Sequence, residues 1–156
     1  MKLYYEDIEK GAVYQTGGVT VTEDAIIRYA MEYDVQPFHV DREAAKQSIF
    51  GELVASGLHT LSLTFRLCNQ EGLFTKTAVA GLGFDAVRFH APVRPGSTLR
   101  ATATVLDRRM SASRPRYGIV TWLIETYDQR GELVLSLTMS HLQETLAALV
   151  PASASG

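Results

Sequence analysis

The longest stretch of the chain without a polar face runs from about Ser56 to Gln70, SGLHTLSLTFRLCNQ, and Arg66 is its only charged residue. Leu58, Leu61, Phe65 and Cys68 share one side at helical spacing, with Leu63 and Leu67 opposite. This pattern predicts a helix that the remainder of the domain must bury. At ~1.5 Å per residue it would run about 22 Å, enough to cross a small domain. Ahead of it, Glu23 to Tyr33 reads as a second helix with Thr22 as its N-cap and Ile26, Ile27 and Ala30 on a packing face. Its Tyr29 and Tyr33 either pack or line a cavity. Asp41 is placed to cap a short helix, REAAKQS.

Strand patterns occupy both ends. Residues 12–21 predict an opening strand, with a bulge at Gly17-Gly18. From Thr77 the chain reads as four strands. The first covers 77–91 and ends at Pro92, Pro95 and Gly96. Leu99, Ala101, Ala103 and Val105 alternate with polar partners in the second. The third, Tyr117 to Tyr127, is apolar on both faces. The fourth follows the D-Q-R-G turn and sets Leu133, Leu135, Leu137 and Met139 on one side. A buried helix with about five antiparallel strands is an α+β arrangement.

Composition changes this picture little. The 156 residues predict one domain over 1–150 and a frayed tail, PASASG, over 151–156. A formal net charge of −2 supplies no electrostatic case for nucleic acid or an anionic membrane. No run approaches the ~20 apolar residues of a membrane span, and no targeting segment is visible, so a cytoplasmic protein is expected. Cys68, the single cysteine, falls inside the apolar helix and reads as core filler. Gly81-Leu82-Gly83 lies within a predicted strand rather than a strand–helix loop, and there is no G-x-S-x-G elbow.

Candidate chemistry concentrates between Tyr33 and His59. Asp34 and His39 flank Pro37, which interrupts the helix and pushes Gln36 towards extended geometry, so the loop can curl the two side chains together. Asp34 also falls at a helix C-terminus, where the dipole disfavours a carboxylate. A solvated aspartate and a histidine satisfying a backbone carbonyl account for the same residues. Ser56 and Gly57 lie at the start of the long helix, whose free N–H groups suit an anion or developing negative charge. Gly57 equally suits close packing. His59 reads as a hydrogen-bonded packing residue.

D-V-Q-P-F-H-V-D (34–41) followed by F-G-E-L-V-A-S-G-L-H-T (50–60) resembles the hydratase motif of the MaoC-like, (R)-specific enoyl-CoA hydratases of the hotdog superfamily. Asp34, Pro37, His39, Ala45, Phe50, Gly51, Val54, Ala55 and Gly57 match that pattern. Tyr33, Gln36 and Ser56 depart from it, standing where the family carries glycine, asparagine and histidine. P-V-R-P-G-S-T-L (92–99) resembles a later family segment, with Ser97 for aspartate. The resemblance implies a curved sheet wrapped around the long helix. It also implies hydration of trans-2-enoyl thioesters to (R)-3-hydroxyacyl thioesters, or the reverse. Asp34 and His39 would hold the water, with Asp34 as base and His39 assisting attack and returning a proton to the α-carbon. Gly57, beside Ser56, would bind the thioester oxygen. No metal or redox cofactor is implied, since coenzyme A or an acyl carrier enters with the substrate. The basic S-A-S-R-P-R loop at 111–116 reads as a solvated hairpin tip or as a contact for coenzyme A phosphates. A thioesterase and a non-catalytic acyl-binding protein are the alternatives, and the Asp34–His39 pair argues against both.

The resemblance also implies a homodimer. The 117–127 strand supports this independently: with Ile119 and Leu123 on one side and Val120, Trp122 and Ile124 on the other, one apolar face is left for a second copy to cover.

Overall fold

The structure is a computed structural model and describes residues 2–149. The expected tail, 151–156, lies outside them. In chain order the elements are β1 (Val13–Thr20), α1 (Glu23–Tyr33), α2 (Pro37–Val40), α3 (Arg42–Lys46), α4 (Gly57–Gln70), β2 (Ala78–Phe89), β3 (Thr98–Met110), β4 (Tyr117–Tyr127) and β5 (Leu133–Glu144). The strands form one antiparallel sheet in the order β1-β3-β4-β5-β2. This curved sheet with its long helix is the hotdog fold.

Local signals account for the elements. Thr22 accepts from Ala25 N–H at the start of α1, and Asp41 accepts from Glu43 and Ala44 N–H at the start of α3. The β1 register shifts between Gln15 and Gly18, where the glycine pair predicts a bulge. β3 and β5 run further than the alternation indicated, to Met110 and Glu144.

Leu99, Ala101, Ala103 and Val105 of β3, Val120, Trp122 and Ile124 of β4, and Leu135, Leu137 and Met139 of β5 are all buried on one face of the sheet. Trp122 packs against Tyr14 and, edge-on, against Phe74, with ring centroids 5.8 and 5.5 Å away. The expected dimer patch on β4 is therefore corrected. Val120, Trp122 and Ile124 are fully buried within the protomer, where the rings of Tyr14 and Phe74 pack on Trp122. The long exposed apolar surface belongs to β2, an edge strand, where Val79, Leu82, Phe84 and Phe89 are exposed.

The face of α4 is corrected as well. Its most buried residues are His59, Thr60, Thr64, Leu67 and Cys68, while Leu58 is 48% exposed and Leu61, Leu63 and Phe65 are partly buried. The hydroxyls tolerate this because each has a partner: Thr64 bonds Thr60 O at 2.9 Å and Thr126 Oγ1 on β4 at 2.7 Å. Cys68 is buried as expected, and desolvation pushes its thiol up to about 12.

Two further buried histidines carry a consequence for stability. His141 bonds Gln143 Oε1 through Nε2 and stacks on Trp122. His59 stacks on Tyr29 with rings 4.5 Å apart and nearly parallel, while its Nδ1 has no partner among the described residues, so that nitrogen packs without a hydrogen bond. Burial pushes both imidazoles below their ordinary value of 6.5. Each is neutral in the fold but gains a proton in the unfolded chain near pH 6.5, so the unfolded state binds more protons on acidification. Stability should therefore be full above about pH 6.5 and decline as pH falls through that value, levelling only where the folded histidines titrate. Urea midpoints at pH 7.5 and 5.5 check this, and equal midpoints would contradict it.

Candidate functional site

The site begins where α1 stops. Asp34 N–H still bonds Ala30 O at 2.9 Å, but its φ of −157° takes the chain out of the helix. Gln36 is extended, as a residue before proline should be, and Pro37 starts the single turn of α2 with its φ already set for helix. His39 is carried on that turn. The interruption brings Asp34 and His39 together, with His39 Nε2 3.5 Å from Asp34 Oδ2.

The histidine has a defined tautomer. Its Nδ1 lies 2.7 Å from Val54 O, and a carbonyl can only accept, so Nδ1 carries the proton. In the neutral ring, Nε2 then presents a lone pair towards the carboxylate and the cleft. Val54 is itself held, by its N–H to Phe38 O at 3.2 Å, and Ala55 N–H bonds Val93 O at 2.8 Å. These two bonds clasp the 51–56 segment between α2 and the loop after β2. The histidine's orientation thus depends on backbone that the motif only partly names.

Ser56 is the N-cap of α4. Its Oγ accepts from Leu58 N–H at 3.2 Å and donates to Asp34 Oδ2 at 2.6 Å, with no solvent exposure. Its hydroxyl is therefore committed to Asp34 and Leu58 and does not line the cleft, unlike Gly57, with which the sequence had grouped it. Gly57 is the first helical residue, and its N–H has no intrahelical acceptor. A Cβ at Gly57 would fall 2.7 Å from the ring of Phe89, so the glycine lets that ring lie against the start of α4.

Asp34, His39, Gly57 and Thr60 share a cleft of about 470 Å³ with Phe38, Phe50, Val54, Ala55, Leu58, Phe89, His90, Ala91, Pro92, Val93 and Val134. A few polar groups converge in an otherwise apolar wall, which suits a small organic substrate with one polar reacting centre. The 111–116 loop joins β3 to β4 at the Ala78/Gln143/Gly118 end of the sheet, whereas the cleft adjoins the Phe89/Leu135 end. Within a protomer the loop is thus remote from the cleft.

Thr60, Phe89 and the Val54 carbonyl were not singled out by the sequence. The residues carry little signal alone, since their roles arise from β2 and the 51–56 segment crossing the helix start. Ser56 did carry one, a serine immediately before a helix.

The "MaoC like domain" family pattern matches residues 7–126. The chain is 36% identical over 130 residues to the uncharacterized protein YdeM of Bacillus subtilis, covering 83% of this chain and 89% of that protein. It is 38% identical over 98 residues to 3-hydroxyacyl-thioester dehydratase Z of Mycobacterium tuberculosis, covering 60% of this chain and 64% of that one. Among solved structures it superposes on the MaoC-like dehydratase from Rhodospirillum rubrum with a TM-score of 0.86 and 39% identity, covering 92% and 97% of the two chains.

The Gly57–Phe89 contact can be tested by itself. Gly57→Ala forces the ring aside, and because Phe89 is more than half exposed the cost should be at the low end for overpacking, about 1 kcal/mol. In a Phe89→Ala background the same substitution should cost nothing. Chemical denaturation of the four variants measures the coupling; equal costs in both backgrounds would dismiss the contact.

Proposed function

The chain belongs to the MaoC-like dehydratase family, and from that premise we propose that it adds water to trans-2-enoyl thioesters to give (R)-3-hydroxyacyl thioesters, or catalyses the reverse dehydration. The observation that carries this reading is the pairing of His39 Nε2 with the Asp34 carboxylate at 3.5 Å, beside the N-terminus of α4 in one cleft. A water between them would bond its hydrogens to the carboxylate and to the Nε2 lone pair. As its oxygen attacks the β-carbon, Asp34 orients and polarises the water as base while His39 assists by taking the departing proton and delivering it to the α-carbon, so H and OH are added and both side chains end as they began. Charge gathers meanwhile on the thioester oxygen. The Gly57 N–H, at the positive end of α4, would stabilise it. Addition of both atoms from one side accords with the (R) product. Coenzyme A or an acyl carrier belongs to the substrate, the reaction calls for no metal or redox cofactor, and the setting is the cytoplasm. Among the described residues no helix is long and apolar enough to cross a membrane.

The decisive assay follows the conjugated absorbance of trans-2-enoyl-CoA substrates, from crotonyl upwards and including branched chains. Absorbance should fall without release of free thiol. Thiol release without a hydroxyacyl product would replace this reading with a thioesterase, and neither signal would replace it with a binding protein. Asp34→Asn and His39→Ala should each lower turnover by ~10²–10⁴-fold with folding retained. Near-normal turnover in either would remove that residue from the mechanism.

A homodimer accompanies this reading, and its support is β2. The strand stands at the sheet edge with four exposed apolar side chains and unpaired backbone groups. An edge this long and apolar is an aggregation site unless another chain covers it. A two-fold copy pairing β2 to β2 would join the sheets and use the same surface twice. Leu82→Arg with Phe84→Glu should convert a species of about twice 17.2 kDa into a monomer in sedimentation at micromolar concentration. A wild-type chain that sediments as a fully active 17.2 kDa species would end the proposal.

A further inference from the structure

Ser56 occupies the position where the resemblance expects histidine, and no role follows from that substitution alone. Its surroundings supply one. The hydroxyl is fully buried, and both of its hydrogen-bonding directions are in use. It receives the Leu58 N–H at 3.2 Å and gives its only proton to Asp34 Oδ2 at 2.6 Å. The latter distance belongs to a strong, charge-assisted O–H···O⁻ bond. Oδ2 is also the oxygen that faces His39 Nε2.

We propose that Ser56 is a positioning residue for the proposed hydration: its hydroxyl fixes the rotation of the Asp34 carboxylate, so that Oδ2 is tethered beside His39 and Oδ1 is left to bind the reacting water. This rests on the hydratase reading given above.

Three features support the assignment. Asp34 lies at the C-cap of α1, where nothing within its own helix orients the side chain. The carboxylate is a quarter exposed and would otherwise be free to turn about its last bond. Ser56 is fixed from the other side by the helix it caps, so the orientation passes from the α4 backbone through Leu58 N–H and Ser56 Oγ to the carboxylate. The same geometry excludes two other roles. Ser56 cannot serve as an oxyanion donor, since its proton is committed and it has no access to the cleft. It cannot be a hydrolytic nucleophile either. That role requires its Oγ to bond the histidine, with the aspartate behind it, whereas here the serine bonds the aspartate directly.

The test separates positioning from substrate binding and from simple stability. Ser56→Ala should lower kcat about ten- to a hundredfold with KM within twofold, because the tether acts on the reacting water and not on the thioester. Ser56→Cys fills the same volume with a weak donor and should show the same loss, which guards against a packing defect in the alanine variant. Ser56→Thr keeps the hydroxyl and should recover most of kcat. In an Asp34→Asn background, Ser56→Ala should add little further loss. A rise in KM with unchanged kcat would instead make Ser56 a substrate-binding residue, and equal losses in both backgrounds would make it independent of Asp34. A readout without substrate is the Ser56 hydroxyl proton in NMR. It should be protected from exchange and downfield, absent in Ser56→Ala, and displaced upfield in Asp34→Asn as the bond loses its charge. A signal that does not move in Asp34→Asn, or an unprotected hydroxyl, would overturn the tether. A signal that behaves as expected in a protein that hydrates no enoyl thioester would leave the tether standing and remove the hydratase reading.

Discussion

A helix that begins inside a domain must find partners for amides that have none within the helix. In this protein α4 begins at Gly57 beneath the edge of the sheet, and much of the local architecture answers that requirement. Ser56 caps the Leu58 amide, the Asp34 carboxylate lies just beyond Ser56, and Gly57, whose N–H has no acceptor within the helix, lines the cleft. The position of Asp34 makes sense only in this light. At the C-terminus of α1 a carboxylate meets the negative end of a helix dipole, which is unfavourable. Its approach through Ser56 to the positive end of α4 offsets that cost. The carboxylate lies between two helix ends of opposite sign.

The histidine is held by different means. It depends on neither helix dipole but on the Val54 carbonyl, which the 51–56 segment presents because Phe38 and Val93 clasp it on both sides. The two members of the dyad are thus oriented by independent supports, a helix cap for one and a pinned loop for the other. Such separation keeps Nε2 and Oδ2 3.5 Å apart without a direct short bond between them.

Much of this was legible in the chain. Caps at Thr22 and Asp41, the bulge at Gly17-Gly18, the breaking of the helix before Pro37 and the five strands all follow from local chemistry, which acts within a few residues. What was not legible depends on which surfaces meet. The leucines of α4 suggested its buried side, yet Thr60, Thr64 and His59 are deeper, because Thr126 across the sheet and Tyr29 on α1 supply partners that periodicity does not register. Likewise the two apolar faces of β4 suggested a patch awaiting a second copy, but Phe74, which follows α4, closes over Trp122. The Asp34–His39 pair was evident as a spacing around proline. The Ser56 link was not, because it joins residues whose contact exists only once α1 and α4 have packed.

The edge strand connects the surface to the site. β2 changes register with β5 in three places, and Ala86 adopts a positive φ of 50° at the last of them, near Asp85 and Arg88. That backbone is unfavourable for an alanine and persists only where the surroundings require it. Three residues on, Phe89 lies against Gly57. The bulge therefore aims Phe89 at the helix start, while the strand before it carries the exposed Val79, Leu82 and Phe84. Any chain that pairs with this edge must accept the bulged path of β2, and so acts on the strand that sets one wall of the cleft. Without such a partner, Phe89 is held over Gly57 by a single, irregularly paired strand. The surface most in need of covering and the wall most in need of support are thus the same element.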